Sequence, residues 1–413
     1  MTSQNIGKFF EFFVVKLGRI RLTLLRTADV VVIGGGVIGT SVAYHLARMG
    51  AGRVVLLERK QLASGATGTS SGLVRMHYDN PLEAEIAFKS LETFQRFDEI
   101  VGGDCGFVRT GFLRTVKPHD LERLKANVAM LQALGVNTWL VTGDEIGEIA
   151  HYLHVEDIPL AAYEPESGYA DPHLTTMGFA DAARRHGARI FQGVPVIGIE
   201  TNGDRVTGVR TPQGEVAAPV AINAAGPWGA LVAALAGVSL DLTIIHHQVA
   251  VVETPAKVPW PHLTVIDRLH RIYLRPETGH LTLIGASHDN RSIGADQLDT
   301  YNQNLTYETR NRVLERLCAR VPAMETAAAH RGHAGVNEHT PDKHALLGPV
   351  PGVEGFYCAV GCSGHGFKES PVIGQAMAEL VLNGRAEIVD ITPLRLTRFQ
   401  EGAPYRGSHA YHD

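Results

Sequence analysis

The run Gly34-Gly35-Gly36-Val37-Ile38-Gly39 has the residue types and spacing to hold a pyrophosphate. Gly34 permits a tight turn, Gly36 lets the backbone approach the phosphates, and Gly39 lets a helix lie close against a strand. Val37 and Ile38 lead into that helix, whose N-terminal N–H groups and partial positive charge face an anion. Glu58 stands about 20 residues further on, where a carboxylate accepts hydrogen bonds from ribose hydroxyls and repels a 2′-phosphate. Arg59 and Lys60 follow it directly and soften that repulsion. The chemistry is dinucleotide binding, and the glycines alone do not choose between NAD and FAD.

Two later segments favour FAD. The loop Ser64–Gly72 is rich in hydroxyls and glycine, with Ser64, Thr67, Ser70, Ser71 and Gly72 as candidate contacts. Gly361-Cys-Ser-Gly-His-Gly-Phe-Lys368 then opens a second helix, and brings Gly361, Gly364, His365, Gly366, Phe367 and Lys368 into play. A second glycine-rich helix start suits a cofactor with a second pole. A flavin edge becomes negative on reduction, and helix N-terminal amides stabilise that charge.

These residues need elements to position them. Asp29–Ile33 and Val54–Leu57 are apolar, β-branched runs that read as strands buried on both faces, with a helix over Thr40–Met49 between them. Helical spacing recurs over Leu82–Val101, Leu121–Leu134 and Ser370–Leu382. Arg189–Glu200 and Arg205–Thr211 read as a strand pair around Asn202-Gly203-Asp204, and His270–Leu274 with His280–Ala286 as a hairpin. Val220–Gly226 and Gly355–Val360 are further strands running into glycine turns. The expected class is α/β (α+β): a Rossmann-type domain interleaved with a second domain, with no internal repeat.

Composition narrows the class. The 413 residues are 45% hydrophobic and 20% charged, with net charge −5, so no basic field points to nucleic acid. Cys105, Cys318, Cys358 and Cys362 are too few for a disulfide scaffold and lack zinc-ligand spacing, which suits reduced thiols in a cytoplasmic enzyme. Residues 1–28 form a basic segment whose charges interrupt every apolar stretch, so it is expected to be a leader, with peripheral membrane contact as the alternative.

The GGGVIG turn with Glu58-Arg59, the loop Ser64–Gly72, Asn223-Ala-Ala-Gly-Pro-Trp228, and Thr340-Pro341-Asp342 leading into Gly361–Lys368 carry a resemblance over residues 29–399. In that order and spacing the chain resembles the D-amino-acid oxidase superfamily, in the branch of sarcosine oxidase, glycine oxidase and dimethylglycine dehydrogenase. The resemblance implies a discontinuous FAD-binding domain (29–106, 157–237 and 329–399). It also implies a substrate domain with a large antiparallel sheet (107–156 and 238–328) and a tail (400–413). It adds Val194, Ala225, Gly226 and Trp228 to the FAD contacts.

The chemistry so implied is loss of a hydride from a small, carboxylate-bearing amine to the flavin, then imine hydrolysis. Arg75 and Lys368 fall where similar enzymes clamp the carboxylate, and Tyr273 and His288 where they place substrate-facing groups. Arg275 is a second carboxylate candidate, and the pair His246-His247 reads as structural. Three departures matter. His330–Thr340 has no cysteine and Gly68-Thr69-Ser70 no histidine to tether FAD, so it is expected to be non-covalent. Leu281–Ser287 has no lysine to activate oxygen, which leaves an electron carrier or quinone as acceptor. Alternatives are a 2-hydroxy-acid dehydrogenase, with His288 as base, and the flavin-binding subunit of a heteromeric amino-acid dehydrogenase. An oligomer is compatible with either.

Overall fold

The computed structural model describes residues 26–286 and 290–412. His288 and residues 1–25 of the expected leader lie outside them. Ala28 N–H already donates to Ala217 O (2.9 Å), so backbone pairing is in place just before the expected strand.

Six strands form the first sheet, in the order Leu346–Pro349, Phe356–Val360, Val220–Asn223, Val30–Ile33, Val54–Glu58, Arg189–Gln192. All neighbours are parallel except the first pair. The run Val-Val-Val-Ile is fully buried because alternate side chains serve different layers. Val30 and Val32 face a helical layer, with Val42, Leu46, Phe179 and Ile373. Val31 and Ile33 face a small three-stranded antiparallel sheet through Ile199, Val206, Val209 and Val216. The helix Val37–Arg48 runs between the helices Pro172–Arg185 and Gly366–Asn383. Its contact with the latter is close: a Cβ on Gly374 would lie 2.1 Å from Ser41 Oγ, which donates to Ser370 O (2.8 Å).

The second sheet has nine strands. Its backbone is the long strand Thr243–Glu253, which pairs with Ala329–His339, Leu281–Ala286 and Arg291–Ile293. The order continues through Ile272–Glu277, Thr264–Asp267, Phe112–Thr115, Ala161–Glu164 and Trp139–Val141. The sheet is antiparallel save for one parallel pair, Thr264–Asp267 with Phe112–Thr115. The helix Tyr307–Arg320 covers one face through Val313 and Leu317. Arg320 at its end is fully buried and pairs with Asp267 (2.6 Å) and Asp157 (2.8 Å). Ala161–Glu164 and Ala329–His339 join this sheet although the resemblance assigned their ranges to the FAD-binding side.

Some elements differ from expectation. Arg189–Glu200 is two strands: Arg189–Gln192 joins the large parallel sheet and Gly198–Asn202 the small one, parted at Gly193, whose φ is +72°. The helix expected over Leu82–Val101 breaks at Arg96 into Pro81–Gln95 and Phe97–Ile100. The hairpin's first strand begins at Ile272, after Arg271 at φ +59°. The last long helix starts at Gly366 and carries Pro371 inside it, one turn past its start, where the missing N–H leaves the Phe367 carbonyl without its usual helical donor.

Candidate functional site

The glycine turn is built as its chemistry requires. Gly34 has φ +116°, and a Cβ there would lie 2.5 Å from Ala224 O. A Cβ on Gly39 would lie 2.0 Å from Gly34 O, so helix and strand meet with no room for a side chain. Val37 N–H donates to Thr67 Oγ1 (3.1 Å), which brings the Ser64–Gly72 loop over the helix start. Glu58 accepts from Gly35 N–H through Oε2 and from Lys60 N–H through Oε1, both at 2.7 Å. Arg59 leaves this group: its guanidinium forms a two-pronged pair with Asp299 (3.0 and 2.6 Å) and stacks 4.1 Å over Trp228.

One cavity of about 450 Å³ begins at this turn. Gly34, Gly36, Val37, Ile38, Glu58 and Arg59 line its start. Ser64, Thr67, Ser70 and Ser71 line its side, facing Ala225, Gly226 and Trp228. Gly364, His365, Gly366, Phe367 and Lys368 close its far end with Arg75 and Tyr273. Four expected residues stand behind the wall. Gly39 packs on Gly34, Gly72 on Ala170 O, and Gly361 on Thr340, while Val194 is buried and donates its N–H to Glu58 O (2.9 Å).

Sequence reasoning missed Asn337, Glu338, Cys362 and Ser363 in the lining, and read His247 as structural although it lines the cavity too. Glu338 is 6% exposed and accepts from Gly361 N–H (3.2 Å), and burial pushes its carboxyl up to about 7. Its strand, Ala329–His339, is largely polar and carried no signal that would single Glu338 out. Trp228 Nε1, His247 Nδ1 and Asn337 Oδ1 are buried in this wall with no hydrogen-bond partner among the described residues. Buried polar atoms are almost always satisfied, so this wall fits a ligand with many polar atoms along its length. A dinucleotide is such a ligand, and the turn's open face at Gly36 admits its phosphates.

The far end gathers charge. Arg75 is 9% and Lys368 5% exposed, and both lie against one ring, Tyr78, at 4.9 and 5.4 Å from its centroid. Their hydrogen bonds go to carbonyls, Arg75 to His77 O and Lys368 to His365 O (3.4 Å). Neither forms a salt bridge among the described residues. Burial, then the Arg75 charge, lowers Lys368 to about 7. Glu369 is tied to the Tyr78 hydroxyl, and burial followed by Glu83 raises it to about 7. Burial works against ionisation of Glu83 as well, but the hydrogen bond with His344 (2.8 Å) and the nearby His365 ring (3.7 Å) overcome it and hold that carboxyl low.

Tyr273 reaches the cavity because its cross-strand partner is Gly285, where a Cβ would lie 2.1 Å from the Tyr273 ring. Burial raises its phenol to about 12, so it stays protonated. Arg275 is outside the lining: it pairs with Glu277 (3.0 Å), donates to Ser71 O and stacks on Tyr169 (4.5 Å). Asp342 is also structural. It holds fully buried Arg398 through two hydrogen bonds of 2.8 Å.

Comparison with known proteins agrees with this geometry. Human mitochondrial sarcosine dehydrogenase is 30% identical over 375 residues, covering 88% of this chain and 40% of that protein. The chain spans about two-fifths of the length of the curated relatives it matches most strongly. Among solved structures, L-proline dehydrogenase from P. horikoshii aligns over 92% of this chain and all of its own, with TM-score 0.85 and 26% identity. Glycine oxidase from Bacillus cereus aligns over 87% of this chain and 96% of its own, with TM-score 0.74 and 28% identity. The family model for FAD-dependent oxidoreductases (DAO) matches residues 29–380, and with the dinucleotide cavity running through that span, the chain belongs to this family of FAD-binding enzymes.

Proposed function

We propose that the chain oxidises the C–N bond of a small amino acid or N-methylated amino acid, held by its carboxylate between Arg75 and Lys368. The observation that carries this reading is the pair of buried cations at the far end of the cavity, neither of them salt-bridged among the described residues. Glu369 is pushed toward its neutral form, and Glu83 is committed to His344. Burying cations without counter-charge is costly, and an anionic ligand relieves that cost. Arg75 offers a planar fork and Lys368 a point charge, which suits one carboxylate held in one orientation. The related proteins act on sarcosine, proline and glycine by their names, and each of these is a small amino acid.

Bound FAD supplies the hydride acceptor. The residues supply position. Arg75 and Lys368 fix the acid end, and the protonated Tyr273 phenol faces the same space as a hydrogen-bond donor. The amides at the start of Gly366–Asn383 would stabilise the negative charge of a reduced flavin held against them. FAD is held without a covalent bond, a reading supported by the absence of cysteine over His330–Thr340 and of histidine over Gly68-Thr69-Ser70. Electrons pass to a carrier or quinone, a reading supported by the absence of lysine over Leu281–Ser287.

The test is anaerobic mixing of the yellow protein with sarcosine, dimethylglycine, glycine, proline and 2-hydroxy acids. Bleaching by an amine and slow recolouring in air are expected. Arg75→Ala should then raise KM by at least about 30-fold with an unchanged flavin spectrum, since removing one partner of a buried charge pair costs about 2–5 kcal/mol. Bleaching by a hydroxy acid and by no amine would overturn the reading.

A further inference from the structure

The last described residues return to the back of the cavity wall. Tyr405 N–H donates to Asp342 Oδ2 (2.9 Å), and from there the chain runs to the helix Leu121–Ala133. Asn127 Nδ2 donates to His409 O (3.1 Å), and His412 N–H donates to Asp120 Oδ1 (3.3 Å). Between these anchors Tyr411 turns inward. The Arg114 guanidinium lies 4.5 Å over its ring, and its hydroxyl is 2.7 Å from His77 Nε2.

His77 is 1% exposed, and its other ring nitrogen has no partner among the described residues. Tyr411 is thus the side chain that sets the orientation of this imidazole. The same residue's carbonyl accepts from Arg75 Nη1, and Arg75 lines the cavity. Burial, then Arg114 and Arg75, keeps His77 well below its ordinary range, so it is a neutral spacer here.

We infer that the C-terminal segment is a positioning element of the substrate site, acting through Tyr411, His77 and Arg75. The inference rests on the reading of Arg75 as a carboxylate partner. A guanidinium clamps a carboxylate in two-pronged fashion only when its plane is set beforehand, and acceptors on its far side do that. Here the acceptor is a backbone carbonyl whose own residue is pinned by a hydroxyl from the far end of the chain.

The experiment is a double-mutant cycle on the flavin-loaded full chain, titrated with benzoate, a carboxylate without an oxidisable C–N bond, and read by the flavin absorbance. Tyr411→Phe keeps the ring and removes one hydrogen bond, so benzoate binding should weaken about fivefold. Arg75→Ala should weaken it about 30-fold or more. The double variant should bind no worse than Arg75→Ala alone, because Tyr411 acts through Arg75. Flavin content and Tm of Tyr411→Phe should match the parent. Unchanged binding in Tyr411→Phe, or losses that simply add, would overturn the inference while leaving the carboxylate reading intact. Unchanged binding in Arg75→Ala would remove the carboxylate reading itself.

Discussion

Lys368 is where a single residue's environment sets a measurable property. Its ammonium is lowered to about 7 by burial and by Arg75, with Glu369, Glu83 and Cys362 facing it from the other side. A carboxylate ligand binds its protonated form, so affinity is greatest below 7 and falls as pH rises through that value. Benzoate Kd should increase by up to about tenfold per pH unit above 7. Lys368→Met should give weak binding with no such slope, and a slope that persists in that variant would assign the titration to another group. Part of this was legible: the glycines around Lys368 announced close approach to something. The gathering of Tyr78, Glu83 and Glu369 around Lys368 was not, because Tyr78 and Glu83 come from a loop and helix distant in sequence. Glu338 escaped notice for the same reason, since only the fold turns that strand residue toward the cavity.

At the scale of elements, the hairpin Ile272–Glu277 with Leu281–Ala286 places the Tyr273 phenol, and Gly285 makes the space for it. The glycine is needed for its missing side chain, not for an unusual backbone angle. Gly285→Ala would push the phenol out of the cavity. It should cost about 1–3 kcal/mol of stability from overpacking. The substrate half-reaction should also slow, checked by urea melts and by anaerobic bleaching rates. Normal bleaching in that variant would mean that Tyr273 is not needed there. The hairpin was visible in the sequence as alternation around a glycine turn, and so was the strand–turn–helix unit at Gly34–Gly39, because both signals are local. Arg189–Glu200 misled as one strand because its β-branched and apolar residues continue past Gly193, and which sheet each half joins is decided by partners far away in the chain. The segment 400–413, read as a plain tail, carries too little apolar periodicity to advertise its contacts.

For the whole molecule, the two sheets are joined by charge as well as by apolar packing. Arg59 on the dinucleotide side grips Asp299 on the other, and Arg398 locks Asp342. The densest knot is Arg320, which bonds to Asp267, Asp157 and His154 O and so fastens a helix and a loop to a strand. Despite burial, His270 and Arg320 hold the Asp267 carboxyl well below its ordinary range. Arg320→Ala leaves that buried carboxylate without its guanidinium partner, and should cost about 3–5 kcal/mol in a urea melt. The flavin spectrum of the folded variant should be unchanged, since Arg320 does not line the cavity. The expected interleaving of domains was legible as alternation of strand types, while the ion pairs that join them were not, because spacing says nothing about partners. The order of the first sheet has a consequence for synthesis. Val30–Ile33 waits for Val220–Asn223, and that strand waits for Phe356–Val360. A growing chain therefore leaves one edge of Val30–Ile33 unpaired until residue 223 has left the ribosome, and one edge of Val220–Asn223 unpaired until Phe356–Val360 follows, with loop closures that are slow to make. Efficient production of this protein should depend on holdase chaperones during translation, and shortened versions ending before residue 356 should accumulate as aggregates.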